Sequence, residues 1–307
     1  MPSLKTIRKR ITTVKATQKI TRAMKMVAGA RLNRAQMRIQ ALRPYAVKTQ
    51  EVLAGVAHTM REKQADAEFG GGGEGGALHP LLARRTEKNV LYVVLSGDRG
   101  LCGAFNANVS KAADRAWKAK REEGADVQLA TIGKKGRDYL ARRRATIAKD
   151  FVRLYDGLDM SKAKMVADWI VSRFESGEID SVYLVYNEFK SAITQKTTVE
   201  SLLPLPEPAA ATAESKDALR PTEYVFEPNE RAVLERLVPM YVEISIYRAL
   251  LESQASEFGA RMTAMDAATR NAKEMIGRLT LVYNRARQAA ITRELMEIIG
   301  GAEALKD

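Results

Sequence analysis

The sequence predicts an α/β domain combined with a long antiparallel coiled coil that is formed by the two ends of the chain. The middle of the chain alternates apolar strand patterns with helical patterns, which is typical of doubly wound α/β domains. Both ends instead carry apolar residues at alternating spacings of four and three. A mean spacing of about 3.5 is typical of a left-handed coiled-coil seam rather than of an ordinary globular helix.

The N-terminal helix is expected to begin at Ser3, a suitable N-cap, and to run to about residue 60 with a disturbance at Pro44. Its seam contains one polar break, formed by Gln18, Thr21 and Lys25. The apolar seam positions are Leu4, Ile7, Ile11, Val14, Ala28, Leu32, Ala35, Ile39 and Leu42.

The C-terminal helix is expected to begin near Asn229, or with Pro239 in its first turn, and to end at Gly300-Gly301. Its seam extends from Leu237 to Ala290, and Arg248 and Thr269 are its two polar breaks. A chain that begins and ends in such a seam is predicted to pair its own termini into a rod.

The central part is predicted to be a Rossmann-like α/β domain over residues 89–202. Val90–Leu95 is a continuous apolar run that favours a buried parallel strand. Ser161 is expected to cap a later helix over 161–176. Further strands are predicted at 127–132, 146–154, 181–186 and 193–199, and further helices at 105–122 and 136–144.

These elements divide the chain into six segments. The glycine-rich run at 70–76 predicts a flexible loop over 61–88, and the prolines after residue 203 predict a linker over 203–228. The full division is an N-terminal coiled-coil helix over 1–60, the loop over 61–88, the α/β domain over 89–202, the linker over 203–228, a C-terminal coiled-coil helix over 229–300 and a tail over 301–307.

The two helices differ in predicted length. At about 1.5 Å per residue the first spans roughly 85 Å and the last roughly 90–105 Å, so the last should overhang by roughly 5–20 Å. The overhang would expose Ile291, Leu295, Ile298 and Ile299. An apolar helix end without a partner helix predicts another chain that encloses it; fraying or a stagger of the helices is the alternative.

Charge is concentrated in the first helix. Residues 1–50 contain 13 Lys and Arg and no acidic residue, so the other 257 residues hold 37 of each sign, from totals of 50 basic and 37 acidic. Such a helix is expected to meet a polyanionic partner, which can be nucleic acid, an anionic membrane or acidic protein loops. A solvated helix face is the simpler alternative.

The sequence lacks the patterns of an active site. Gly97-Asp98-Arg99-Gly100-Leu101-Cys102-Gly103 follows a strand, but its spacing is neither that of a dinucleotide fold nor that of a P-loop. His58 and His79 have no metal-ligand spacing with Cys102, the single cysteine. We therefore expect no catalytic residue, cofactor or metal. Neither a membrane-spanning run nor a signal peptide is expected.

Four strings in the chain resemble the gamma subunit of bacterial F-type ATP synthase. Two are terminal: Thr17–Ala28 (TQKITRAMKMVA) and Tyr283–Leu295 (YNRARQAAITREL). Two are central: Ser96–Gly103 (SGDRGLCG) and Tyr186–Phe189 (YNEF). The resemblance implies a rotor shaft that carries torque between the proton-driven c-ring and the ring of three alpha and three beta subunits. It implies one copy per complex, located peripherally at the cytoplasmic face of the bacterial inner membrane, with the epsilon subunit beside it.

The resemblance also implies roles for particular residues. It implies that the α/β domain is the foot of the shaft and that Tyr186, Asn187 and Phe189 of this foot contact the epsilon subunit and the c-ring; Tyr186 and Phe189 could instead pack against the sheet. The contacts that it implies with the alpha–beta crown are made by Met24, Arg261, Arg287, Gln288, Thr292, Glu294 and Glu297. Met24 could instead be a core methionine, and Arg287 an ordinary exposed helix arginine.

A basic coiled-coil protein that binds nucleic acid, or a scaffold, is the alternative function. It requires affinity that falls steeply with salt. Tyr45 is the one aromatic residue among residues 1–50, which argues against base stacking.

Overall fold

The computed structural model describes residues 3–69, 79–205, 227 and 229–304. The chain divides into two compact units. Unit 1 contains Met1–Ala30 and Arg261–Asp307, and unit 2 contains Arg31–Ala260. Two long helices, α1 over Leu4–Phe69 and α5 over Glu230–Ala304, contribute to both units. The predicted class, an α/β domain with long terminal helices, is confirmed.

Unit 2 is built on a five-stranded sheet in the order β3-β2-β1-β4-β5. The first four strands are parallel, and β5 pairs antiparallel with β4 at one edge. The strands are β1 Asn89–Leu95, β2 Asp126–Ile132, β3 Ile147–Phe151, β4 Ser181–Phe189 and β5 Gln195–Leu203. The remaining helices are α2 Phe105–Glu122, α3 Lys134–Ala141, α4 Met160–Glu175 and a 3-10 turn at Pro80–Leu82.

Both faces of this sheet are covered, which explains why β1 is apolar without alternation. Leu91 and Val93 point to one face and pack in a cluster with α4, α5 and the part of α1 around Leu53 and Val56. Tyr92 and its alternate neighbours point to the other face, under α2 and α3. A parallel strand buried on both faces has no solvent side on which polar residues would be favoured.

Unit 1 is an antiparallel pair of helices whose contact follows the predicted seam. The seam positions from Leu4 to Ala28 and from Met265 to Ala290 are buried or half-buried, whereas most positions between them are exposed. Thr21 Oγ1 hydrogen-bonds Thr269 Oγ1 at 2.8 Å, and Lys25 Nζ lies 2.5 Å from Asp266 Oδ1. The predicted pairing of the chain's own termini is therefore confirmed in unit 1.

The structure corrects several predicted boundaries. Helix α1 continues through Pro44 and the expected end at 60 to Phe69, so residues 61–69 are helical and not loop. Helix α5 passes through Gly300 and Gly301 to Ala304, so these glycines are not its C-terminal cap. The glycine run at 70–76 and most of the predicted linker, residues 206–226, lie outside the described residues.

Helix starts were predicted with mixed success. Ser3 accepts a hydrogen bond from the Thr6 amide at 3.3 Å, and Asn229 Oδ1 accepts one from the Ala232 amide at 2.8 Å, as expected for N-caps. The cap of α4 is Asp159, whose carboxylate accepts a hydrogen bond from the Lys162 amide, and not Ser161. Asp159 was overlooked because Ser161 is also a favourable cap residue.

Candidate subunit interface

The two helices of unit 1 differ in how far they extend. Thr21 faces Thr269, Lys25 faces Asp266, and Gly29 lies against Met262. The facing residue numbers sum to 290 or 291, so the first residues of α1 lie opposite residues near 287. Residues 288–304 of α5 then continue past the start of α1 by roughly 25 Å at 1.5 Å per residue. The predicted overhang is present and slightly longer than expected.

The overhanging end of α5 exposes a large apolar surface. Ile298 is 71 % exposed, and Met296 is 62 % exposed. Scattered exposed apolar residues are normal on a protein surface, but a concentrated group at a helix end marks an interaction site. The remaining exposed large apolar residues of this end are Ile291, Leu295 and Ile299.

All seven residues predicted to contact a crown belong to unit 1. Met24 and Arg261 are half-buried, so parts of their side chains are accessible. The other five are exposed and lie on the last turns of α5: Arg287, Gln288, Thr292, Glu294 and Glu297. The structure therefore brings five predicted residues together around the overhang, while Met24 and Arg261 lie further along the helix pair.

The α1 part of unit 1 presents a cationic surface. Lys25 is paired with Asp266 across the seam. The other seven cations of residues 4–30 are exposed and form no ion pair with any residue that the structure describes; they are Lys5, Arg8, Lys9, Arg10, Lys15, Lys19 and Arg22. Exposed cations without intramolecular partners can attract an acidic surface at long range.

The three residues predicted for the foot do not form a surface. Tyr186 and Asn187 are each 2 % exposed, because Tyr186 packs in the cluster that contains α5 and Asn187 lies against the start of α2. Asn187 donates a hydrogen bond to the Phe105 carbonyl at 3.3 Å and accepts one from Thr197 at 2.6 Å. We therefore correct the expectation that the side chains of Tyr186 and Asn187 touch a partner. Phe189 is half-buried and remains accessible in part.

Tyr186 instead belongs to a charged cluster between β4, β5 and α5. Its hydroxyl donates a hydrogen bond to Glu200 at 2.6 Å, and Arg248 binds the other oxygen of Glu200 at 2.5 Å. Burial, with a smaller contribution from the Glu200 hydrogen bond, raises the pKa of Tyr186 above its usual range against the opposing charge of Arg248. The tyrosine is thus a permanent hydrogen-bond donor at neutral pH.

Glu252, one helical turn from Arg248, completes this cluster. Its Oε2 is buried and has no hydrogen-bond partner among the described residues. Burial raises the pKa of Glu252, and the opposing attraction of Arg248 only partly offsets it. Arg248 Nη1 lies 3.9 Å from Glu252 Oε1. One signal of this cluster was visible in the sequence, since Arg248 interrupts the apolar seam.

Helix α5 is also fastened to the carboxyl ends of the strands by small polar residues. Ser256 donates a hydrogen bond to the Asn187 carbonyl at 2.9 Å, and Ser253 lies within 3.4 Å of the Leu95 carbonyl. A side chain at Gly259 would meet the Ala192 backbone at 3.1 Å. These residues let the helix approach closely, as small residues do where backbones pack.

Protein groups occupy the start of the glycine-rich turn after β1. The Ser96 hydroxyl accepts a hydrogen bond from the Gly136 amide at 2.8 Å, and Asp98 accepts one from the Lys134 amide at 3.0 Å. A side chain at Gly97 would meet the Glu257 carboxylate at about 3.0 Å. The Lys134, Gly136 and Gly97 amides, which could otherwise bind a phosphate, therefore have acceptors within the protein, and a carboxylate lies beside the turn.

Among the described residues, no cluster of three or more His, Cys, Asp and Glu has the arrangement of a metal site. No described helix is long and apolar enough to cross a membrane. What the described residues do offer is an exposed apolar helix end next to a cationic helix face. These features define a protein that works by contact with other subunits.

Comparison with known proteins specifies the class. Residues 3–305 match the family model described as ATP synthase. The chain is 58 % identical to the ATP synthase gamma chain of Sorangium cellulosum and 47 % identical to that of a Geobacter species, covering all of this chain and of each relative. The chain belongs to the ATP synthase gamma chain family. Its role is that of a non-catalytic central-stalk subunit, as the resemblance of its terminal strings implied.

Solved structures agree on the fold. The rotor of the Euglena gracilis mitochondrial ATP synthase matches with a TM-score of 0.62 at 19 % identity, over 94 % of this chain and 98 % of that chain. The central stalk and c-ring structure of the Tetrahymena thermophila enzyme matches with a TM-score of 0.58 at 24 % identity, over 81 % of this chain and 99 % of that chain.

Proposed function

We propose that this central-stalk subunit is the rotor shaft that carries torque between a proton-driven c-ring and a crown of three alpha and three beta subunits. The observation that carries the proposal is the overhang of α5. Its exposed apolar residues need an enclosing partner, and a bearing inside a ring of subunits would provide one. One copy per complex follows, because one ring has one axis.

The cationic face of α1 supports the crown as the partner of unit 1. Seven cations there form no ion pair within the described part of the chain and so favour an acidic surface, and contacts that slide during rotation are better served by long-range charge attraction than by fixed hydrogen bonds. Met24 lies beside Lys25 on this helix and is the proposed contact with acidic loops of beta. Arg287, Gln288, Thr292, Glu294, Glu297 and Arg261 are the proposed polar contacts.

Unit 2 is the proposed foot, in contact with the epsilon subunit and the c-ring. Because the side chains of Tyr186 and Asn187 are buried, Phe189 remains the candidate contact residue there. The neighbouring hairpin supports this placement, since Ile193 is 79 % exposed. The complex would lie at the cytoplasmic face of the bacterial inner membrane, with the chain attached peripherally and without contact to nucleic acid.

Co-expression with the alpha and beta subunits tests the proposal. We expect the three proteins to co-elute in size-exclusion chromatography as an active ATPase. A bead attached through a cysteine introduced at exposed Arg115 of α2 should then rotate on an immobilised crown when ATP is added. Failure to co-elute would refute the assembly, and ATPase activity without rotation would refute the torque role.

A matched pair of variants tests the overhang. Leu295 on the overhang is 56 % exposed, and Met165 on α4 is 52 % exposed. Leu295→Asp should weaken assembly or slow rotation because it places a charge in the proposed bearing, whereas Met165→Asp should leave both unchanged. Equal behaviour of the two variants would contradict the bearing.

A further inference from the structure

The sheet of unit 2 reverses its strand order between β1 and β4. Strands β2 and β3 lie on one side of β1, and β4 lies on its other side. Open α/β sheets bind their ligands at such a point, outside the carboxyl ends of the two strands. A ligand of this domain would therefore be expected beside Leu95 and Phe189, the last residues of β1 and β4.

Helix α5 lies across this part of the sheet. Ser253 Oγ is 3.4 Å from the Leu95 carbonyl oxygen, and Ser256 donates a hydrogen bond to the Asn187 carbonyl at 2.9 Å. The helix thus contacts the carboxyl-terminal parts of both β1 and β4. The position that takes a ligand in other α/β sheets is occupied here by a segment of the same chain.

Glu257 of α5 places its carboxylate at the glycine-rich turn after β1. A Cβ at Gly97 would lie 3.0 Å from Glu257 Cδ, 3.1 Å from Glu257 Oε1 and 3.2 Å from Asn106 Oδ1. The carboxylate therefore lies beside the first turn of α2, which begins at Phe105. Glu257 is 7 % exposed, and a carboxylate buried to this extent requires hydrogen bonds or positive charge to stabilise it.

The turn and the start of α2 have the properties of an anion-binding place. The amino end of a helix carries partial positive charge and attracts anions. Leu101 and Gly103 are left-handed, with φ of 63° and 55°, a conformation found in turns whose backbone amides surround an anion. Asn106 fixes the turn, because it accepts a hydrogen bond from the Gly97 amide at 2.8 Å and donates one to the Arg99 carbonyl at 3.1 Å.

We propose that Glu257 is the built-in anion of this α/β domain. Its carboxylate occupies the anion-binding place at the glycine-rich turn and thereby fixes α5 to the sheet, so Glu257 is a positioning residue for this helix. The class of group that the place takes is a carboxylate or another small anion. The inference concerns unit 2 alone and does not rest on the proposed rotor role.

Removal of the carboxylate from the full-length chain tests the inference. Glu257→Ala should lower the unfolding midpoint of unit 2 and leave a place that acetate, a free carboxylate, can fill. When acetate replaces chloride at equal ionic strength, the midpoint of Glu257→Ala should rise by about 3 °C more than that of the parent, because a ligand that binds only the folded state stabilises it. The fluorescence of Trp117 and Trp169, both in unit 2, reports this midpoint.

Glu243→Ala is the matched control. Glu243 lies on the same helix with 18 % side-chain exposure, but its carboxylate faces Lys164 at 3.8 Å and not the glycine-rich turn. Its response to acetate should equal that of the parent, which also measures the general effect of acetate on protein stability. Equal responses of Glu257→Ala and Glu243→Ala would overturn the inference.

Glu257→Gln keeps the size of the side chain and removes its charge. We expect a lowered midpoint without an acetate-specific gain, because the amide still fills the place. A midpoint equal to that of the parent would overturn the inference. This variant also decides the question if Glu257→Ala does not fold in either salt.

Gly97→Ala checks the geometry independently of any added anion. Its Cβ would meet the Glu257 carboxylate, so the substitution should lower the midpoint in the parent and lower it less in a Glu257→Ala background. Contacting residues are expected to show such non-additive effects. Fully additive effects of Gly97→Ala and Glu257→Ala would contradict a carboxylate seated at the turn.

Discussion

Unit 1 and unit 2 use the same two helices but are stabilised differently. In unit 2 the helices pack on a sheet whose strands are buried on both faces, and residues such as Phe174 and Ile170 are fully enclosed. In unit 1 each helix packs against one neighbour, and the buried residues are Ile7, Thr21, Ala28, Met265 and Ala272. Unit 2 therefore tolerates little change, whereas unit 1 leaves most of its surface for partners.

The largest expected effect lies in unit 2, at Gly133. Its φ is 93°, and a side chain would meet the Ser96 carbonyl oxygen at 2.1 Å. Gly133→Ala should lower the free energy of unfolding by about 3–5 kcal/mol, the sum of backbone strain and overpacking. The fluorescence of Trp117 and Trp169, both in unit 2, measures the denaturant midpoint.

Gly124 provides the control for this prediction. Its φ is 90°, but nothing lies within 4 Å of an added side chain. Gly124→Ala should therefore show the strain alone, about 1–2 kcal/mol. Equal costs at the two positions would mean that the close approach of Gly133 to Ser96 is unimportant.

The next effect concerns the charged cluster of unit 2. Arg248→Met would leave Glu200 and Glu252 without their cation, and we expect a loss of about 1–3 kcal/mol because the cluster is partly solvated. The raised pKa of Glu252 means that the folded state binds the proton more tightly. Its penalty is absent at low pH and grows as pH rises from 4.5 through the folded-state pKa.

In Arg248→Met the pKa of Glu252 should rise further, so the loss of stability should continue to higher pH than in the parent chain. Unfolding midpoints measured between pH 4 and 8 test this. Arg236→Met removes an exposed cation of the same helix and should show the pH profile of the parent. If both variants show the same pH dependence of the unfolding midpoint as the parent, Arg248 does not influence the pKa of Glu252.

These two units also show what a sequence predicts and what it does not. The seam was predictable because helix periodicity is local, and every seam position from Met265 to Ala290 is buried or half-buried. Its polar breaks were visible, but their partners were not. Arg248 binds Glu200, 48 residues away, and Thr269 binds Thr21, 248 residues away.

Asn187 shows the opposite error. The family resemblance implied that Asn187 contacts a partner, yet its side chain is buried and hydrogen-bonded to Phe105 and Thr197. Those partners come from α2 and β5, which are brought to Asn187 only when the sheet and its covering helix assemble. The predicted end of α5 at Gly300-Gly301 was wrong because glycine permits a helix to end but does not require it.

For unit 1 we expect substitutions of exposed residues to change the activity of the complex more than the stability of the fold. Arg287→Ala removes at most about 1–3 kcal/mol of charge-assisted hydrogen bonding to a partner. Because Arg287 is exposed, we expect assembly with alpha and beta to persist while ATP turnover falls. Arg285→Ala, an exposed arginine two residues away, should have the smaller effect. Loss of assembly in Arg287→Ala would assign that residue a structural role.

The smallest expected effect is the pH dependence of the seam in unit 1. The hydrogen bond from Lys25 lowers the pKa of Asp266 below its usual value of 3.8, with further attraction from Lys25 and Arg270. A lowered carboxyl pKa contributes stability that is present above pH 3.8 and is lost as pH falls through the folded-state pKa.

Thermal unfolding of unit 1, followed by a dye on a cysteine at Asn284 in a Cys102→Ser background, should therefore distinguish Asp266→Asn from its parent at pH 6. That difference should shrink below pH 3.8, while Glu274→Gln, a change at an exposed position of the same helix, should give a small difference at every pH. A difference for Asp266→Asn that persists unchanged at pH 3 would show that the ion pair with Lys25 is not its source.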